Sequence, residues 1–591
     1  MNRRMRVLGL TTALVSSSAM VVAPTALAAE HCVGKHAGCS ATLEDALDAA
    51  GDGDTIRLEA GTFAGGATVT KSVAIVGAGR GATILKGGGP VLTIGTLFDD
   101  TPPAVSIRDM TITGGHTTSS PLSAEFVGEE GVIALGGGIE IPPGHDFTPG
   151  AEVTITRTSI TGNRVAPGAT LPLGPPCPGG VNCPFALGSG GGIDNWGTLT
   201  ITDSTISDNR VGSASGISTL ASDAAAGGVS SQIGTLTIVS SRIEDNRATA
   251  TAPNGRFAEN AGVSVGASLF GFDTGPFRMS DSRVTGNSAQ LDAALPSSVE
   301  LSAIVGGIHV GEKVPRAEIA RSVIAGNSVG MTNTTGDALT FSGGLHVDLP
   351  VDFEIRDSTI ADNRVSAATL SSSPGLAHAD SGGALLFGRM VGTRVFDNVV
   401  AATSAGGDAE AMAGGSWVLY GDVSGSELRG NRLLATAPNG EARARGGGAI
   451  VDSTPELPDQ GGLSLTDSSV ADNTGVARGA SSVAQGGGIF DGTLPGGPFG
   501  GTLVLAGSSI TDNALKGRPG AVLEGGGVFL DGALLTQTNS VIAGNRPDQC
   551  FGCDPTLSAA PRGKEDAARM SQRYRHDTAG HHANMPLVHP R

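Results

Sequence analysis

The chain has 591 residues, 92 of them glycine, with only 4% aromatic residues and a net charge of −18. That acidic balance excludes the usual footprint of nucleic-acid or anionic-lipid binding, which needs lysine and arginine to neutralise phosphates. Such a length ordinarily suggests several domains, but a repeat architecture lets one long domain grow without new cores.

Residues 1–29 carry Arg3, Arg4 and Arg6, an apolar run from Val7 to Val22 and small residues through Ala28-Ala29, the layout of a secretory signal. Arg3-Arg4 fits either a twin-arginine signal or general secretion. Removing the three arginines takes the charge from −18 to −21. No later stretch reaches the roughly 18–20 apolar residues of a membrane-spanning helix. The expectation is a secreted, extracellular or cell-wall-associated protein without a membrane span.

Residues 30–115 read as a cap and first coils. Thr42 is a candidate N-cap, Leu43, Ala46, Leu47 and Ala50 share one helical face, and Gly51 is a stop, so a short helix would lid the open core. Asp54–Leu58, Ser72–Val76 and Val91–Ile94 read as strands. Gly77-Ala-Gly79-Arg-Gly-Ala82 matches a dinucleotide fingerprint with Asp99 and Asp100 downstream, but Gly87-Gly-Gly-Pro90 leaves no room for the helix that the fingerprint requires.

Residues 116–553 carry the repeat. A hydrophobic residue, a variable one, Asp or Gly, and then Asn recurs eleven times, at Asn163, Asn209, Asn246, Asn287, Asn327, Asn363, Asn398, Asn431, Asn473, Asn513 and Asn545. Intervals of 32 to 46 residues indicate a solenoid. Within the copy Gly190–Asn209, three short alternating segments separated by turns predict three strands per coil of a parallel β-helix. The asparagines are expected to stack as an amide ladder. Asp precedes six and Gly five, so a calcium ladder is weaker than a turn requirement, since Gly removes the carboxylate. No cofactor is expected, with calcium the one possibility. Inserts between each Asn and the next Gly-Gly phrase, longest at Arg164–Ser189, are expected to form loops along one side.

The residue after the inward apolar one in each Gly-Gly strand should point outward. That column reads Glu140, Asp194, Ser230, Ser264, His309, His346, Leu385, Trp417, Ile450, Phe490 and Phe529. His309 and His346 occupy near-identical phrases, and adjacent coils would hold them about 4.8 Å apart. They read either as a metal or general-base pair or as equal residues stacked, with no third ligand visible. Trp417, Phe490 and Phe529 read as an exposed glycan or protein platform, or as core if loops cover them. Arg278, Glu318 and Glu354 read as a solvated ion-pair row.

The six cysteines form three close pairs, Cys32 and Cys39, Cys177 and Cys183, Cys550 and Cys553. Local disulfides are the simplest reading in an exported chain, although 15 pairings are open and Cys550-Phe-Gly-Cys553 also has redox spacing. Residues 554–591 lack apolar periodicity and read as a disordered tail.

Leu43–Phe63 and the alternating Gly-Gly-Gly-Ile and Ser-x-Ile-x-x-Asn phrases resemble right-handed parallel β-helix proteins of the pectin-lyase-like superfamily, with repeats similar to those of polymorphic outer-membrane proteins. The resemblance implies an exported or surface-displayed adhesive role. No membrane barrel is expected here, so outer-membrane anchoring is not. The Asn-Thr-Asp, Gly-His-Gly and Arg-Ile-Lys landmarks of the polygalacturonase relatives are absent together, and Asp99-Asp100 stands far from any partner motif. The leading expectation is a monomeric, non-catalytic protein binding glycan, cell-wall or surface-protein ligands. A polysaccharide lyase or glycoside hydrolase is the alternative, and a structural envelope component the third.

Overall fold

A computed structural model describes residues 28–126, 131–168, 185–213, 221–251, 255–266, 272–297, 301–349, 351–372, 374–451, 462–492 and 501–553. The expected signal up to Leu27, the Cys177 and Cys183 pair and the 554–591 tail lie outside these residues.

The protein is a parallel β-helix. Its strands form three parallel stacks of 27, 20 and 14 strands, each pairing with the equivalent strand of the coil before and after. One coil shows the plan. Ile193–Asn195 and Thr198–Thr202 join the largest sheet, and Thr205–Ser207 the 14-stranded one. In register, Ile193 pairs with Ile139 and Val229, Ile201 with Ile155 and Ile238, and Ile206 with Ile160 and Ile243. All of these are fully buried, so period-2 alternation along each strand becomes columns of Ile, Leu and Val along the solenoid.

The inserts differ from the expected loops. Most leave the Asn corner as one strand and come back as a second, as in Arg247–Thr251 and Gly255–Glu259, while Arg432–Arg445 and Thr474–Gln485 are each a single continuous strand. These arms stack into the 20-stranded sheet and enclose their own core, largely alanine, including Ala248, Ala250, Ala258, Ala289 and Ala303. The coil therefore has five strands where three were expected, because alanine alternation carries a weaker apolar signal than the Ile columns.

The Asn and Gly-Gly phrases work together. Asn Nδ2 donates to Oδ1 of the next asparagine in every step from Asn163 to Asn545, at 2.9–3.1 Å. Nδ2 also donates to a carbonyl of the preceding coil, as from Asn209 to Ile160 at 3.0 Å, and each backbone N–H donates to the next Oδ1. Buried amides are thereby satisfied. A Cβ on Gly192 would lie 3.0 Å from Asn209 Nδ2 and 2.6 Å from the Gly228 carbonyl, so glycine there makes room for the ladder. The preceding Asp208, Asp245, Asp362, Asp397, Asp472 and Asp512 have φ of 55° to 57°, and in the other coils Gly162, Gly286, Gly326, Gly430 and Gly544 have 64° to 71°. Asp and Gly replace one another here because both accept this left-handed corner.

A second ladder was not anticipated. From Thr158 through Ser204, Ser241, Ser282 and Ser322 to Ser540, each backbone N–H donates to the next hydroxyl oxygen at 3.0–3.3 Å.

The N-terminal end is closed by a helix, whereas the last described coil leaves Leu534 and Val541 exposed. In helix Leu43–Ala49, Thr42 Oγ1 accepts from Asp45 N–H, and Leu43, Ala46 and Leu47 are buried in the coil core. Lys71 Nζ donates to the carbonyls of Leu47, Asp48 and Ala50, neutralising the C-terminal end of the helix dipole. Cys32 is bonded to Cys39 and Cys550 to Cys553. The Gly77–Ala82 decoy lies between strands Ala74–Val76 and Thr83–Lys86, with no helix. No described helix is long and apolar enough to cross a membrane.

Candidate functional site

The returning arm strand joins the Gly-Gly strand through one residue with positive φ in every arm-bearing coil, from Gly136 at 61° to Gly525 at 67°. The resulting sharp fold sets the outer face of the returning strand against the outer face of the Gly-Gly strand. The column pairs in the register read from the sequence, from Glu140 with Asp194 through His309 with His346 and Leu385 with Trp417 to Phe490 with Phe529. It continues upstream through Thr93 to Thr68.

Of the two readings open for the apolar half of this column, exposed platform or covered core, the structure takes the second. Trp417, Phe490 and Phe529 are 4%, 2% and 5% exposed and pack with Leu385, Ile450, Met412 and Ala413, the last two from a returning arm. They form a third core and offer no aromatic platform. The physical reason is that the inserts are strands folded back over the column. Phe490, Phe529 and Phe551 stack at 5.1 Å, nearly parallel, with the Arg445 guanidinium over the Phe490 ring.

The polar half of the column is buried too. Burial pushes Asp194 up to about 7, against a bond from Trp196 Nε1 of 2.7 Å. Glu140 is likewise pushed up to about 7, mainly by burial and further by the Asp194 charge, while Ser120 donates to it at 2.6 Å. Beside Asp194, a space of about 20 Å³ lined by Leu135, Gln232 and Asn260 is large enough for one water.

His309 and His346 come together, with ring centroids 5.0 Å apart. Their Nε2 atoms converge on one carboxylate, His309 on Asp348 Oδ2 at 3.1 Å and His346 on Oδ1 at 2.9 Å. Burial opposes charge on Asp348, but the two imidazoles outweigh it and hold the carboxyl well below its usual range. Ser342 Oγ lies 2.9 Å from His346 Nδ1. Sequence reading missed Asp348, although it stands two residues after His346 where the preceding coil has Gly311. Among the described residues, this trio brings three metal-ligating atoms within 4.8 Å of one another.

A second charged group lies in the arm wall. His378 sits 3.2 Å from Asp380 and 3.4 Å from Glu410, these three deeply buried, and Glu410 also pairs with the half-buried Arg445 at 3.0 Å. Desolvation opposes the His378 charge, yet the two carboxylates raise it to about 10. Glu410 falls to about 2 despite burial, chiefly through His378. These residues carried no periodic signal. Elsewhere, Arg278, Glu318, Glu354 and Arg389 stand in register on the outer face, with Arg278–Glu318 at 3.8 Å and Arg389–Glu354 at 3.0 Å, an exposed row of small energetic weight.

The column opens at its N-terminal end. A cavity of about 380 Å³ is lined by Thr68, Thr93, Thr96, Ser119, Ser120 and Glu140, with Pro90, Leu97, Leu122 and Pro142 beside them.

No family model matches the sequence, and no curated protein matches it. The open pocket and the histidine trio must therefore be read from their own chemistry. Hydroxyls and one carboxyl beside prolines and leucines suit a ligand with both hydroxylated edges and apolar faces.

Proposed function

We propose that this is an exported, non-catalytic β-helix protein that holds a neutral glycan segment of a cell wall or cell surface in the pocket at the Thr68–Glu140 end of the column. The carrying observation is the pocket itself, whose volume lies in the range of small-ligand sites and whose lining is mainly hydroxyl and apolar. Export is supported by the basic, apolar and small-residue order of residues 1–29 and fits the Cys32–Cys39 and Cys550–Cys553 disulfides. The net charge of −18 favours a neutral ligand over a polyanion.

A second reading is favoured by Glu140. A carboxyl held near neutrality is suited to protonate a glycosidic oxygen. Glycoside hydrolysis ordinarily needs a second carboxylate facing the same bond. Among the described lining residues Glu140 is the one carboxyl, and Asp194 lines the small enclosed space instead. Binding is therefore the preferred reading.

Retention on a panel of insoluble cell-wall polysaccharides and on a neutral-glycan array tests it, with Thr93→Trp as the filled-pocket variant. Retention by the parent and loss in a Thr93→Trp protein with unchanged melting supports the reading. Equal retention by both, or none by the parent, overturns it. Release of reducing ends by the parent but not by Glu140→Gln would establish hydrolysis instead.

A further inference from the structure

We propose that His309, His346 and Asp348 form a binding site for a borderline divalent transition-metal cation of the zinc class, bridging two adjacent coils midway along the column. The proposal is independent of the glycan pocket and stands on convergence. Two imidazole nitrogens and a carboxylate oxygen can all be chosen within 4.8 Å of one another. Zinc bonds of about 2.0–2.1 Å in a tetrahedron put neighbouring ligand atoms about 3.3 Å apart. The Nε2 to carboxylate distances of 3.1 and 2.9 Å already lie close to that edge.

The scaffold fixes the trio. His309 and His346 pair directly in neighbouring parallel strands, Ile308–Val310 and Leu345–Val347, whose inward residues Ile308, Val310, Leu345 and Val347 are fully buried. Asp348 follows the second strand, and its backbone N–H donates to the Val310 carbonyl at 2.9 Å, which ties it to the first coil.

Ser342 completes the case for a metal ligand. A metal on His346 Nε2 requires the ring proton on Nδ1, and Ser342 Oγ, 2.9 Å away, is placed to accept it. The side chain of Asp348 is 24% exposed, against 7% for His309, so the entry side and the fourth coordination position lie at the carboxylate. Two imidazoles favour zinc, copper or nickel over calcium, which takes six to eight oxygen ligands.

Co²⁺ is the probe, read by its visible absorption in titrations of the mature chain, with Zn²⁺ competition and Ca²⁺ as the contrasting ion. The sequence beyond residue 553 contains His576, His581, His582 and His589, so all titrations use a background in which these four are alanine. One equivalent of Co²⁺ is expected to bind with tetrahedral absorption and to be displaced by Zn²⁺ but not Ca²⁺. His309→Gln and His346→Gln are each expected to weaken binding by more than about 100-fold, and Ser342→Ala by about 10-fold, as for a lost outer partner. Asp348→Asn is the third ligand variant should either histidine variant fail to fold, with circular dichroism as the check. Absence of stoichiometric Co²⁺ binding in the parent background, or equal affinity in the folded ligand variants, overturns the proposal.

Discussion

Two columns run along the same coils and both are largely buried, yet they differ in kind. The Asn column repeats one residue eleven times and satisfies every amide by pointing it at the next. The other column changes identity along its length, from carboxyls through a serine pair and a histidine pair to aromatics. Parallel stacking rewards repetition, because equal residues find equal neighbours one strand away. Burial therefore does not separate scaffold from candidate site in this fold. Departure from repetition does, and Asp348 and Glu140 are the departures that meet a cluster or a cavity.

The comparison would break first at the aromatic end of the variable column. If Leu385–Phe529 is core, Trp417→Ala leaves a large cavity and costs about 4 kcal/mol, seen as a lower denaturation midpoint. Glycan retention by the folded fraction should be unchanged, whereas a selective loss of retention would return Trp417 to the binding surface.

The uniform column should be nearly as sensitive. Asn327→Ala removes donors to Asn363 Oδ1 and the Val284 carbonyl and the acceptor for both Asn287 N–H groups. Those partners are buried, so the expected cost is roughly 3 kcal/mol, with faster hydrogen exchange at the Asn287 amide. An exchange rate equal to that of the parent would show that the ladder does not hold the coils in register.

Asp194→Asn sharpens the contrast by pH. A carboxyl raised to about 7 by burial binds a proton in the folded state that it has lost in the unfolded state above about pH 4. Its penalty is absent below the unfolded value, grows as pH rises towards 7 and is constant above that. Between pH 5 and pH 8 the penalty from this one group grows by roughly 2–3 kcal/mol. The variant, which keeps an oxygen for Trp196 Nε1, should be more stable than the parent at pH 8 and lose that advantage at pH 4. A pH-independent difference would mean that Asp194 is not buried as a neutral acid.

The coil was legible because its signals repeat: Asn spacing, Gly-Gly phrases and Ile alternation each recur, and the capping helix carries an amphipathic face between Thr42 and Gly51. The arms were not, since alanine barely separates a strand interior from a loop, and the choice between platform and core for Trp417, Phe490 and Phe529 stayed open for that reason. His309 and His346 were placed correctly by register, while Asp348 and the His378–Glu410–Arg445 group occur once each and join partners across turns or coils. Only their three-dimensional positions reveal them.

The smallest expected effect decides how the Asp-Asn phrase itself is understood. Asp362 has φ 55°, and the equivalent residue one coil earlier, Gly326, has φ 64°. If the position exists to take a left-handed corner, Asp362→Gly should change stability by only a few tenths of a kcal/mol, whereas Asp362→Ala should cost about 1 kcal/mol, because alanine gains nothing to offset its steric penalty there. A calcium ladder predicts another order: both substitutions would remove a carboxylate ligand and be equally harmful when calcium is present, and neither would matter after chelation. Denaturation midpoints of the parent and both variants, with Ca²⁺ and with EDTA, separate the two. The corner requirement is expected to hold in both buffers, since five of the eleven coils already use glycine at this position and their asparagines bond along the ladder at the same distances as the rest.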